Sequence, residues 1–446
     1  MLTLLSGCRS LLGIDDPGPL AIDAAPDAEV PPRLILGGGI ADAPLNGRLD
    51  VYVITAANRR PVAGATIEVR ASERPGVETT VVATATTDAD GLARFTFDPS
   101  ITSVDVAAVA EGHRSIYWVG VRGHNVTLPM QGTGLVAYPS AMYQGSIIDF
   151  STVPDLGVNY TKYARVTSAK VDSATSARNA FGPSGTCDSD TTCPYTMVLP
   201  EGETALLATI QHHNNQGTAA PDDDTYSVGG YAMRRHVMVV DDEPASGVGL
   251  QVVPASELVD TRVSFGSPTG GGSASAQIGL ELPEGVLTSD GVIVGSLSKV
   301  RVPSLGYLGA GATYRVTART SGFFTGESSA AYLYGQTSTD FPPLVWIQAP
   351  KDITGGATEL AWASPLDATM VSIIVTTTPP SVGLDVLVLD QAQRVAVPPL
   401  VQWQNDKAFA TASALRMSID VAQFSLAEDA TKLVATSTAS TVTLMR

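Results

Sequence analysis

Apolar and polar residues alternate along most of this chain with a period of two. Residues 49–54 (Leu-Asp-Val-Tyr-Val-Ile) form a run with a mixed apolar face, and Thr66-Ile67-Glu68-Val69-Arg70 alternates strictly. Residues 81–86 are β-branched and small, and Leu92-Ala93-Arg94-Phe95-Thr96-Phe97 alternates again. Such runs predict half-buried strands, because successive side chains of a strand point to opposite faces. Between them stand Arg60-Pro61-Val62-Ala63-Gly64-Ala65 and Thr87-Asp88-Ala89-Asp90-Gly91. Proline presets φ and glycine tolerates positive φ, so both segments are turns. Similar runs recur at 194–200, 205–210, 235–240, 248–253, 276–282, 313–320, 330–334, 359–362, 370–376, 383–389 and 441–445. Glycine-rich breaks such as 270–272 and a polar stretch at 211–224, read as a loop, separate them. Together these runs predict an all-β chain of tandem antiparallel β-sandwich domains.

The length of 446 residues suits three or four domains, and the breaks mark four blocks at 33–132, 133–254, 255–350 and 351–446. Charged residues are only 16% of the chain, which favours pleated, half-buried strands over helices with charged outer faces. No window of eighteen apolar residues exists, so no membrane-spanning helix is expected. A net charge of -17, with no basic face, argues against nucleic acid, whose binding depends on Lys and Arg neutralising phosphates.

Near the start, Leu5-Ser6-Gly7-Cys8 resembles the lipobox of bacterial lipoproteins. The resemblance implies that Cys8 is lipidated and becomes the mature N-terminus, with residues 1–7 the remnant of a signal peptide. That remnant carries Leu2, Leu4 and Leu5 but no Lys or Arg, so a longer leader with an upstream start is expected; otherwise Cys8 is an ordinary thiol. Residues 8–32 fit a disordered tether: Asp15 to Pro32 is acidic and proline-rich, and cannot bury enough apolar surface to offset its ordering entropy. Arg9 in place of an aspartate implies, by the same resemblance, the outer membrane. The membrane partner is then reached through the Cys8 lipid, at the periplasmic or cell-surface face.

Within 33–132, Pro61-Val62-Ala63-Gly64-Ala65 followed by Thr87-Asp88-Ala89-Asp90-Gly91, Ala93 and Phe95 resembles carboxypeptidase regulatory-like and bacterial Ig-like modules. These are prealbumin-like or Ig-like sandwiches without catalytic residues of their own. Trp362, early in the 351–446 block, would suit the core of an Ig-like or fibronectin-III-like sandwich.

Candidate chemistry is sparse. After Cys8 only Cys187 and Cys193 remain, which in an oxidising compartment read as one disulfide closing a short loop; two free thiols are the alternative, and zinc would need further nearby ligands. No nucleophile elbow, metalloprotease helix or phosphate-binding loop is present in the sequence, and no catalytic, cofactor or metal residue is assigned. His212 and His213 adjoin the acidic Asp222-Asp223-Asp224, but neighbouring residues of an extended chain face opposite ways. His113, His124 and His236 are expected at the surface or at strand edges. Asp88, Asp90, Asp188, Asp190 and Asp222 to Asp224 are loop carboxylates that could meet calcium, though none has EF-hand spacing and Asp-Gly is first a turn device. Trp118, Trp346, Trp362 and Trp403 lie in or near apolar runs, which favours burial over sugar stacking.

The expected function is therefore non-enzymatic: a lipid-anchored cell-envelope protein with a structural or adhesive role, binding an envelope protein or glycan through sandwich loops or exposed strand edges. A carbohydrate-binding lipoprotein, with an exposed tryptophan, is one alternative. A hydrolase whose site is assembled from residues distant in sequence, around His212, His213 and the acidic stretch at Asp222 to Asp224, is another.

Overall fold

A computed structural model describes residues 32–445 except 36, 72–79, 134–138, 158, 170–191, 218–224, 265–273, 295–298, 322–326, 378–382, 391, 404–406 and 440–441. Cys8, Cys187, Asp188, Asp190, Asp222 to Asp224 and nearly all of the expected tether therefore lie outside the described residues. The fold is all-β, as the alternation predicts.

In the first block the strand Arg48–Thr55 turns Leu49, Val51 and Val53 inward. It lies parallel to Asn125–Met130 and antiparallel to Leu92–Thr96. A facing sheet, Ser115–Val121, Val104–Val109, Thr66–Ala71 and Thr80–Thr86, supplies Trp118, Val104, Val106, Ile67 and Val69 to the same core. The turn before Leu92–Thr96 behaves as its composition predicts: Asp88 Oδ1 accepts from the amides of Asp90 (2.9 Å) and Leu92 (3.0 Å). Gly91 sits at φ +72, where a Cβ would lie 2.6 Å from the Val53 carbonyl oxygen, so only glycine fits.

The four expected blocks share sheets. Gly383–Val388, from the last block, pairs parallel with Ser115–Val121 from the first. Arg114 ties that seam, donating from Nη2 to Asp385 Oδ1 (2.8 Å) and to the Val375 carbonyl (3.2 Å). Ser328–Gln336, from the third block, pairs with Leu433–Thr438 from the fourth. One thirteen-stranded sheet thus runs from Gly285–Val294 through the third and fourth blocks to Thr80–Thr86 in the first. The strand Gly39–Ala41 sits between Asn125–Met130 and Phe424–Ser425. The physical reason is edge satisfaction, since an unpaired strand edge leaves backbone groups that a neighbouring strand can bond. The second face of the long sheet, with Tyr117, Val119, Ile373 and Val386, packs on the smaller sheet Lys351–Gly356, Glu359–Ala363 and Arg394–Ala396.

The second block is a six-stranded sheet in the order Tyr160–Ser168, Gly202–Asn214, Thr225–Val239, Ala245–Val252, Ser140–Ile148, Thr192–Pro200. Its inner face forms one core around Tyr143, Phe150, Leu206 and Leu250. Its other face sends Ala205, Leu207, Tyr231 and Met233 into a core shared with the third block. The polar stretch expected to be a loop from 211 onward is instead ladder as far as Asn214, because Thr225 to Val228 pair with Gln211 to Asn214 across a bulge. Cross-strand bonding overrides the polar composition there.

Candidate functional site

The histidine pair separates as extended geometry requires. His212 is buried and its Nε2 bonds the Pro154 carbonyl at 2.8 Å. Its ring lies over Gly229, where an added Cβ would come within 2.3 Å of Cε1. His213 faces the other way and stacks on Tyr226 at 4.7 Å and 10°. A cleft of about 680 Å³ opens beside His212, with Asp149, Val153, Pro154, Gln251 and Arg301 among its walls. Its polar groups are engaged: Asp149 Oδ2 accepts from Gln251 Nε2 (2.6 Å), and Arg301 donates to the Ala255 carbonyl (2.9 Å). A backbone carbonyl orients the His212 ring and His213 faces away from it, while Asp222 to Asp224 of the hydrolase alternative lie outside the described residues.

The tryptophans give no sugar platform. Trp118, Trp362 and Trp403 are buried, and Trp346 is half-buried against the shared core. Trp118 packs on Phe424 at 5.9 Å. The exposed aromatic surface that the carbohydrate alternative requires is thus missing at Trp118, Trp362 and Trp403, and Trp346 shows only part of its ring. Cys193 is buried in Thr192–Pro200 opposite Ile147, and its expected partner Cys187 lies outside the described residues.

The strand edges differ from one another in a way that bears on binding. Natural edges are blunted by charge, proline, shortness or cover. Here Leu92–Thr96 carries Arg94, Tyr160–Ser168 carries Lys162 and Arg165, Thr192–Pro200 carries Pro194 and Pro200, and Phe424–Ser425 is two residues long. Of the described edge strands longer than four residues, only Thr80–Thr86 (Thr-Val-Val-Ala-Thr-Ala-Thr) has neither charge nor proline. It pairs on one side with Thr66–Ala71, with a bulge that passes over Val82. Thr80, Val81, Thr84 and Thr86 are exposed, while Val82, Ala83 and Ala85 lean on the core. The sequence marks this run as a strand but gives no sign that it is an edge.

A charged group escaped the sequence reading altogether. His236, expected to be a scattered surface residue, is exposed, yet its Nδ1 lies 2.7 Å from Glu203 Oε1 and 3.2 Å from Glu284 Oε1. Glu284 is buried and gripped by Arg235 through both oxygens (Nε 2.8 Å, Nη2 2.7 Å). Burial pushes the Glu284 carboxyl up, but the Arg235 guanidinium and His236 outweigh it and hold its pKa below the usual value. Pro283-Glu284-Gly285 reads as an exposed turn, so nothing local signals this pairing.

No protein-family model matches the chain, and no curated protein matches it. Among solved structures it is similar to the shaft pilin SpaA of Lactobacillus rhamnosus GG, at 10% identity and TM-score 0.16 over 47% of this chain and 98% of that one. It is also similar to the Bacillus anthracis TIE protein (13% identity, TM-score 0.15, 67% of this chain and 49% of that). Two B repeat units of the collagen binding protein of Staphylococcus aureus match at 10% identity and TM-score 0.13, over 89% of this chain and 98% of that. Likenesses at this level say nothing of shared activity; the all-β architecture stands on the strand ladders themselves.

Proposed function

We propose that the protein is a non-catalytic component of the cell envelope, anchored by a lipid on Cys8, spaced from the membrane by residues 8–32, and serving a structural or adhesive role. The observation that carries the adhesive part is the Thr80–Thr86 edge, which is long, uncharged and paired on one side only. An extended partner segment adds there as a further strand, its backbone supplying affinity and its alternate side chains specificity. The chain's charge of -17 makes a neutral or basic segment the better guest and nucleic acid a poor one.

Two experiments test this. The intact mass of the mature N-terminus from native membranes of the producing cell, with the full upstream gene region restored, should show an acylated Cys8; an unmodified chain removes the anchor. For adhesion, beads carrying the wild type or a Val81→Lys/Thr84→Lys variant are applied to native cell envelopes. Loss of retention at unchanged melting temperature supports the edge, and equal retention overturns it.

A further inference from the structure

Glu203, His236 and Glu284 offer three ligand atoms that all lie within 4.8 Å of one another. From this geometry we propose that they form a binding site for a single borderline divalent cation, zinc in its simplest form, which joins the second block to the third. Glu203 opens the strand Gly202–Asn214, His236 stands near the end of Thr225–Val239, and Glu284 lies in the turn between Ala274–Leu282 and Gly285–Val294.

Four features converge. The first is spacing: ligand atoms bound about 2.0–2.2 Å from a tetrahedral zinc are roughly 3.3 Å apart, and His236 Nδ1 lies 2.7 and 3.2 Å from the two carboxylates. The second is orientation. Consecutive side chains of a regular strand point to opposite faces, yet Arg235 and His236 both reach Glu284. The ladder slips between Thr204 and Leu206, and His236 takes φ +56, which turns its ring toward the carboxylate that Arg235 holds.

The third is support from behind. A ligating carboxylate is normally fixed by an outer partner, and Arg235 takes both Glu284 oxygens while its Nη1 donates to the Leu308 carbonyl. A carboxylate has about four lone-pair positions, so two remain for other partners. The fourth is charge. With a neutral imidazole, two glutamates and one arginine leave the group one negative charge, on a chain of net -17. An imidazole nitrogen beside two carboxylates suits zinc better than calcium or magnesium, which prefer all-oxygen shells. Water completes the coordination, since His236 and Glu203 are exposed. The bound ion adds to the Arg235 bridge and the shared apolar core that already join the two blocks.

The competing occupant of this space is a proton on His236, shared by the two carboxylates. Calorimetric titration of the full chain, freed of metal with a chelator, distinguishes the two. Zinc chloride at neutral pH should bind one ion per chain and raise the melting temperature, with calcium and magnesium chlorides giving neither response. His236→Ala and Glu203→Gln, which leave the buried Arg235–Glu284 pair intact, should each weaken zinc binding at least roughly tenfold, while His124→Ala should not. Absence of zinc binding, or binding that His236→Ala and Glu203→Gln leave unchanged, overturns the proposal and leaves a proton-bridged ion network.

Discussion

Asp105, in the first block, and Glu284, at the junction of the second and third, are both buried carboxylates, yet their surroundings move them in opposite directions. Asp105 accepts from the Gly120 amide (3.0 Å) and the Tyr117 hydroxyl (3.1 Å), both neutral donors. Burial pushes its carboxyl up to about 6, the neighbouring Asp390 adds to that, and the two hydrogen bonds with Arg70 offset only part. Tyr117 is itself raised, by burial first and then by Asp105. Glu284 is as little exposed but less deeply enclosed, and it meets a guanidinium that grips both oxygens, so it ends below its usual value. Low exposure alone therefore does not decide a carboxylate's ionisation; the depth of its enclosure and a countercharge within hydrogen-bond reach do so together.

The largest break in this comparison comes from removing the countercharge. Arg235→Met leaves buried Glu284 with only His236 beside it, and should cost roughly 3–5 kcal/mol of unfolding free energy in urea at neutral pH. The double variant Arg235→Met/Glu284→Gln should recover much of it. A single-variant loss below about 1 kcal/mol would show that Glu284 is wetter than its surroundings indicate.

Asp105→Asn should do the reverse. Because the folded-state pKa of Asp105 is raised, its stability contribution is full below the ordinary carboxylate value and is lost as pH rises through about 6. The asparagine variant should therefore be more stable than wild type near pH 8, by on the order of 2–3 kcal/mol, and should show no such gain near pH 4. Glu284 carries the opposite sign: its contribution is present above its unfolded value and is lost as pH falls through its depressed one. Stability curves of wild type and Asp105→Asn across this range would isolate the Asp105 share.

Tyr117→Phe withdraws one of the two donors from Asp105 and should cost roughly 1–2 kcal/mol where Asp105 is charged. The loss should shrink as acid neutralises the carboxyl, and a pH-independent loss would assign it to packing instead. The smallest effect is expected for His236→Ala in metal-free buffer, below about 1 kcal/mol, because Arg235 already holds Glu284 and the His236–Glu203 pair is exposed.

Much of the fold was legible residue by residue. The alternation in Thr66–Ala71 and the Asp88 to Gly91 turn carry their structure locally, through pleat geometry and through a side chain that bonds nearby amides. What the sequence could not show is which strand lies beside which. Nothing in Gly383–Val388 names Ser115–Val121 as its neighbour, since one apolar run pairs as well as another until the whole sheet is assembled. The charged group was hidden for the same reason, as Glu203, His236 and Glu284 meet through a ladder slip and a turn from another block. His212 misled in a different way: its polar company suggested a loop, while a glycine bulge and a backbone carbonyl give it a buried place.

The placement of Gly39–Ala41 between Asn125–Met130 and Phe424–Ser425 governs when this molecule can finish folding. One outer strand of the first sheet, Phe424–Ser425, is made long after its neighbour Gly39–Ala41, and the parallel seam at Ser115–Val121 also waits for residues made much later. Contact order this high slows folding, and it leaves early strands open to aberrant pairing in the meantime. A chain built this way gains little from folding block by block as it emerges, because its first block stays incomplete until residues 383 to 425 have been made.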